Sequence, residues 1–435
     1  MRPTSPIVVL SLIVAAAQNT SAQKPPAVHF LDRPIATSAR EFKNLARIRQ
    51  LPNGNLLVND VARRQLLLLD SALKIVSVVA DSTPGSANSY GATSAGLLPY
   101  PGDSSLLVLP RVPSMYMIDP QAHIVRVMSV PRPQEAFSMV TTTAGTTGFD
   151  AKGRLVYRGN TPPATRSNVV PGGPPGTMIG ADSAPIVRVD LSTHAFDTAA
   201  MFKLPQFRAK LYPRANNSTL AMIENNPVPT NDDWAVLSDG TIAVVRGQDY
   251  HVDFINVDGT MTRGPKMAYA WEPLNDDAKA ALMDSVRKAI DEARKKPSAP
   301  VSLASGPPPS GRGATPPPTG GGGGISGAGV SPGSSPSDLP PEELASLSDI
   351  PDYRPPFTTN AVRPDADGNL WIRTTHREAS AGTVYDVVNR AGKVIDRVQL
   401  QPGRSVLGFG PGGIVYVIAR EEPISWIEKS KWKAP

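Results

Sequence analysis

The side chains of this sequence best suited to chemistry are arginines. Six short apolar stretches end at or near one: Arg63 and Arg64, Arg111, Arg158, Arg246, Arg373 and Arg420. Lys and Arg together number 44 of 435 residues, so recurrence in six similar places asks for a common cause. One cause is a basic face for an anionic ligand, because the planar guanidinium fork matches carboxylate or phosphate through paired hydrogen bonds. The other is architectural: each arginine would pair with a carboxylate of a neighbouring repeat, since residues at equivalent positions commonly serve the repeat itself. The densest polar cluster is Arg246-Gly247-Gln248-Asp249-Tyr250-His251, which is either part of a ligand site or a connecting loop. The candidate ligand-binding set is Arg64, Arg111, Arg158, Arg246, Asp249, Tyr250, Arg373 and Arg420.

Several other chemistries lack their residues. Cysteine is absent, which removes disulfides, thiolate metal sites and thiol nucleophiles. The histidines, His29, His123, His194, His251 and His376, include no pair at metal-ligand spacing, which argues against a multi-histidine zinc centre. No Gly-x-Ser-x-Gly elbow is present, and the glycine run 320–324 lacks the Lys-Ser/Thr of a phosphate loop. No catalytic residue is assigned. The formal charge of +6 favours anionic partners, whereas nucleic acid is not expected, because no Lys/Arg run is interleaved with aromatics.

The elements that carry these residues come from a repeat. Each unit is an apolar stretch, a glycine turn, a second apolar stretch, a third strand often ending in Asp or Asn, and a fourth strand. The clearest copy runs from Ile48 through Asn53-Gly54 and Leu56-Leu57-Val58 to 65–70 and 74–79. Asn53-Gly54 reads as a type I′ hairpin turn. Five further copies have their turns at Gly102, Gly153, Gly240, Gly368 and Gly412. Blades of roughly 40–50 residues are the period of a β-propeller. In a four-stranded antiparallel blade, the ends of the second strands and the loops between blades share one face, so the arginines above would share it too.

Insertions explain the longer gaps between turns. Residues 160–184 are Pro/Gly-rich, and 201–230 read as an irregular loop. In 275–296, Ala278, Leu282, Val286, Ala289 and Ile290 fall on one face at helical spacing, predicting an amphipathic helix that docks on the rim. The following stretch to Pro341 is Pro, Gly and Ser, too poor in apolar surface to order itself. The aromatic and sulfur side chains Trp234, Trp371, Met115, Tyr116 and Phe254 lie within strands and read as core.

The recurrent Asp/Asn-Gly-x-Leu strand pair resembles that of the six-bladed β-propeller group that includes NHL-type and gluconolactonase-like proteins and exported relatives. The resemblance covers most of 28–430 outside the insertions. It implies an all-β fold, a six-bladed β-propeller of four-stranded antiparallel blades, to which the periodicity and composition above add one inserted amphipathic helix and a disordered Pro/Gly-rich linker. A pair of β-sandwiches is the other fold considered, but it would not produce six equivalent four-strand units. The expected division is a signal peptide at 1–22, blades one to four over 28–265, a helical segment at 266–296, a disordered linker at 297–355 and blades five and six over 356–430. Residues 28–31 are expected to add the outer strand of the last blade and close the ring.

Two functional readings stay open. The first is a non-enzymatic exported binding or scaffold protein for an anionic small molecule, a glycan or a protein, with no cofactor. The second follows from the resemblance: gluconolactonase-like members hold a divalent metal with acidic and amide side chains from inner-strand ends. Here Glu41, Asp232, Asp233 and Asn360, with Glu135, would be the oxygen donors and Ca²⁺ the cation, making a metal-dependent lactonase or hydrolase. The apolar run 7–17, followed by small residues at 15–17 or 20–22, reads as a secretory signal too short to span a bilayer, giving a periplasmic or extracellular protein with no membrane span after cleavage.

Overall fold

The computed structural model describes residues 25–83, 88–140, 145–167, 169, 174–213, 219–295, 343–376, 382–421 and 424–434. The expected signal peptide and residues 297–342 of the expected linker lie outside them.

The repeat folds as read. Six antiparallel sheets follow one another, the first built from Leu45–Gln50, Leu56–Asp60, Gln65–Leu69 and Ile75–Ala80. Their second strands are buried on both faces: Leu56, Leu57 and Val58 are all fully buried, although neighbours in a strand point to opposite sides. The reason is that each sheet packs between two others. Separate apolar clusters join the first sheet to the second, the second to the third, and so on to the fifth and sixth; the sixth returns to the first through Tyr416, Ile418 and Ile427 against Leu56, Val58 and Leu67. This cyclic packing is that of a β-propeller, and the innermost strands surround a central channel. Trp234 and Trp371 are fully buried between blades, as are Met115 and Phe254 almost entirely, while Tyr116 is partly buried.

The turn between the first two strands is a conserved piece of local chemistry across the blades. Gly54, Gly102, Gly153, Gly240, Gly368 and Gly412 all have positive φ. At the first, the Gly54 amide donates to the Leu51 carbonyl and the Leu51 amide to the Asn55 carbonyl, while Asn53 keeps negative φ. The turn is thus a three-residue loop closed by a left-handed glycine, not the type I′ turn expected from Asn-Gly, because Pro52 presets the preceding φ near −65°.

Three expectations are corrected by long-range pairing. Ring closure is made by Ala36–Thr37, which pairs with Ile424–Lys431 as the outer strand of the sixth sheet; Val28–Phe30 instead adds to the fifth sheet, parallel to Val394–Gln399. The described residues of 201–230 are not an irregular loop. Arg208–Pro213 and Thr219–Asn225 join Gly176–Ile179 and Thr165–Arg166 from the earlier insertion, plus Glu343–Leu344, in a seventh sheet outside the ring. The alternation Ala209 and Leu211 buried against Arg208 and Lys210 partly exposed is strand periodicity, masked in sequence by the flanking prolines. Finally, 343–355 is ordered, so the expected disordered segment does not extend through it.

The helix Asp276–Lys295 forms as expected, with Asn275 Oδ1 accepting the Ala278 amide at its start. Its first turns dock through Ala278, Leu282 and the buried Met283 onto Val228, Leu274 and Ile350, and Lys279 Nζ bonds Asp352 at 2.8 Å.

The added strand at 28–30 is tied by His29, whose Nε2 lies 2.9 Å from Asp396. This bond to a carboxylate holds the imidazole above its ordinary pKa of 6.5. A raised folded-state value means the bond stabilises docking fully below pH 6.5 and loses that contribution as pH rises through the folded value. Exchange of the Leu31 amide, which donates to Gln399, is therefore expected to speed up above neutrality beyond the intrinsic base catalysis, and His29→Gln is expected to abolish that extra dependence.

Candidate functional site

The channel encloses about 970 Å³. Arg47 and Arg49 reach it from the first strand of blade one, Arg363 from the first strand of blade five, and Arg373 and Arg420 from the second strands of blades five and six. Arg47 and Arg49 are two residues apart, so both face the channel while Ile48 turns into the blade core. Arg363 is aimed by a bulge: the register of its strand breaks between Phe357 and Val362, with Asn360 in the left-handed region at φ 59°. Asp233 of blade four fixes that bulge by accepting the Ala361 and Val362 amides at 2.7 and 3.0 Å. Asn360 Oδ1 in turn accepts from Arg363 Nη2, and Thr359 O accepts from Arg373.

The electrostatics of this group are one-sided. Burial pushes Arg47 down to about 10, and the charge of Arg363 acts in the same direction. Burial likewise takes Arg49 to about 10, opposed by the charge of Asp103, and its buried Nη1 has no hydrogen-bond partner. Arg363 is lowered by burial, partly opposed by Asp233, with Arg373 adding like-charge repulsion. Among the described residues, none of the five has a carboxylate within 4.0 Å. The carboxylates that line the channel are engaged elsewhere: Asp150 with Arg154, Asp239 with Arg390, and Asp365 with Asn369 and Trp371 Nε1. These three sit in the turns between first and second strands, at the opposite end from the exposed Arg420. Tyr385 lies among the arginines. Burial raises its phenol, while Arg373, Arg363 and Arg420 oppose the rise; its oxygen accepts the Val406 amide at 3.0 Å.

The residues read from sequence are divided by this geometry. Arg373 and Arg420 line the channel. Arg246 is locked between Asp232 and Asp253, at 2.8 Å from each, the architectural role considered for it. Tyr250 is fully buried and donates to Asp386 at 2.8 Å, and Asp249 pairs with His251 at 2.7 Å. Arg111 is exposed, Arg64 sits in a turn with φ 51°, and Arg158 is partly buried with an unpartnered Nε.

The four proposed metal ligands do not form a set. Asp232 is spent on Arg246 and the Lys203 and Gly247 amides, Asp233 on three backbone amides, and Asn360 on Arg363, while Glu41 is exposed. Glu135 is buried beneath Tyr157 and Arg132. No group of three or more His, Asp or Glu disposed to hold one metal ion occurs among the described residues.

Arg47, Arg49 and Arg363 were absent from the sequence-derived set. The available signal was position: charged residues on innermost strands, at the channel-facing register of blades otherwise apolar there.

No family model matches this chain, and no curated protein does. Solved structures similar to it in chain path include a protein of Bacteroides fragilis described as exported, at 8% identity over 93% of this chain and 99% of that one, TM-score 0.42. A gluconolactonase of Xanthomonas campestris is 9% identical over 94% and 95%, TM-score 0.37. Virginiamycin B lyase of Staphylococcus aureus is 9% identical over 90% and 99%, TM-score 0.36. At such identities the likeness extends to the path of the chain and not to residues or activity.

Proposed function

We propose that this protein is an exported anion-binding β-propeller whose ligand sits in the central channel among Arg47, Arg49, Arg363, Arg373 and Arg420. The observation that carries the reading is five arginines lining one cavity, none with a carboxylate partner among the described residues. Buried cations are ordinarily paired, because desolvation is costly. A set left unpaired is suited to a partner that arrives from outside, and a cavity of this size suits a small molecule. Export rests on the apolar run 7–17 of the sequence.

The test is thermal shift of the mature chain with citrate and phosphate, since a ligand bound only by the folded state raises the melting temperature. A rise that is lost in Arg373→Gln and Arg420→Gln, and kept in Arg111→Ala on the outer surface, is the expected outcome. A rise lost in Arg111→Ala but retained in both channel variants would move the site out of the channel.

A further inference from the structure

Resting on that reading, the geometry points to the class of ligand: we infer that the channel takes a compact polyanion, a small molecule carrying two or more carboxylate or phosphoryl groups. The first reason is charge number. Arg47 and Arg363 bear on each other, Arg363 and Arg373 do so as well, and Arg363, Arg373 and Arg420 all act on the Tyr385 hydroxyl. The partly buried Arg47, Arg49, Arg363 and Arg373 all line one cavity, with the exposed Arg420 at its edge, so at least four guanidiniums share that space. A monoanion neutralises one of them and leaves the others repelling.

The second reason is hydrogen-bonding character. A guanidinium offers five donors and no acceptor. Tyr385 has its oxygen engaged by the Val406 amide, which leaves its proton to donate, and the nearby Asn360 Oδ1 is already taken by Arg363. The ligand must supply acceptors on every side that these groups face, as carboxylate and phosphoryl oxygens do without bringing donors, whereas each hydroxyl of a neutral sugar brings a donor with its acceptor and no charge.

The third reason is spacing. Arg47 and Arg49 point the same way from one strand, so their attachment points are about 7 Å apart along the channel wall. Arg49, with its buried unpartnered Nη1, adds a second guanidinium two residues from Arg47 on the same channel-lining strand. Two anionic groups on one molecule can meet both arginines while losing translational freedom once, which multiplies affinity as linked sites do.

The experiment is calorimetric titration of the full mature protein at constant ionic strength with acetate, succinate and citrate, and in parallel with inorganic phosphate and pyrophosphate. Affinity is expected to rise at least tenfold from acetate to succinate and again to citrate, or from phosphate to pyrophosphate. The series that rises identifies carboxylate or phosphoryl groups as the source of the charge. Arg49→Gln is expected to remove the gain from the second charge, lowering the affinity for succinate, citrate or pyrophosphate at least tenfold more than that for acetate or phosphate. Arg363→Lys, which keeps the charge, supplies a folded comparison should Arg363→Gln prove unstable. Equal affinity across a series, all of it lost in Arg363→Gln, would overturn the polyanion inference and leave the channel as a site for single anions. Binding of none of these anions would overturn both.

Discussion

Replacing Asp386 with Ala is expected to destabilise the protein by about 3–5 kcal/mol, measured by urea unfolding. Asp386 is 1% exposed and is the hub of a network between blades four and five. It accepts from Arg397 Nε at 3.0 Å and from the Tyr250 hydroxyl at 2.8 Å. Burial pushes its carboxyl upward, and Arg397 and Tyr250 oppose that push. Truncation would leave a buried guanidinium without its counter-ion and a buried hydroxyl without its acceptor. Asp386→Asn keeps an acceptor and should cost less, and Tyr250→Phe should cost about 1 kcal/mol, the net worth of one hydrogen bond. Equal, small losses in all three would mean that the network contributes little to holding the blades together.

The double substitution Arg47→Gln with Arg363→Gln is expected to have the opposite sign in the ligand-free protein. Relieving like-charge repulsion and desolvation should raise stability by on the order of 1–3 kcal/mol. Glutamine at 363 can still donate toward Asn360, so the bulge that Asp233 anchors should persist. The same variant should lose the stabilisation conferred by anions, which for the parent amounts to about 2.7 kcal/mol at a ligand concentration one hundred times Kd. Sites shaped for a ligand commonly cost stability when empty, and this pairing of gain and loss distinguishes such a site from an architectural one. A fall in ligand-free stability with anion response intact would assign these arginines to the fold instead.

Arg246 and Arg373 show why sequence could carry the argument only part of the way. Both lie at the ends of second strands in blades four and five, but Arg246 is the last residue of its strand, six after the turn glycine, and Arg373 is one short of the end of its own, five after it, so the two leave opposite faces of their blades. Arg246 meets Asp232 and Asp253, whereas Arg373 meets a backbone carbonyl and the open channel. Asp253 is two positions into the next strand and Asp232 lies fourteen residues back, so the spacing from the turn glycine tells the two arginines apart by face but does not name the partners that Arg246 meets. For the same reason Arg363, placed by a bulge that depends on a carboxylate 130 residues earlier in the chain, was invisible as a site residue.

By itself the sequence determined the repeat: apolar runs of strand length, separated by turns whose glycines must adopt positive φ, set six units of four strands and so the propeller. Those are short-range requirements of backbone sterics and period-two alternation, written in adjacent residues. The tertiary structure decided which strand closes the ring, that two insertions join in a seventh sheet, and which arginines are left without carboxylates. Each of these depends on pairing between segments far apart in the chain, where competing partners differ in register and position and not in composition.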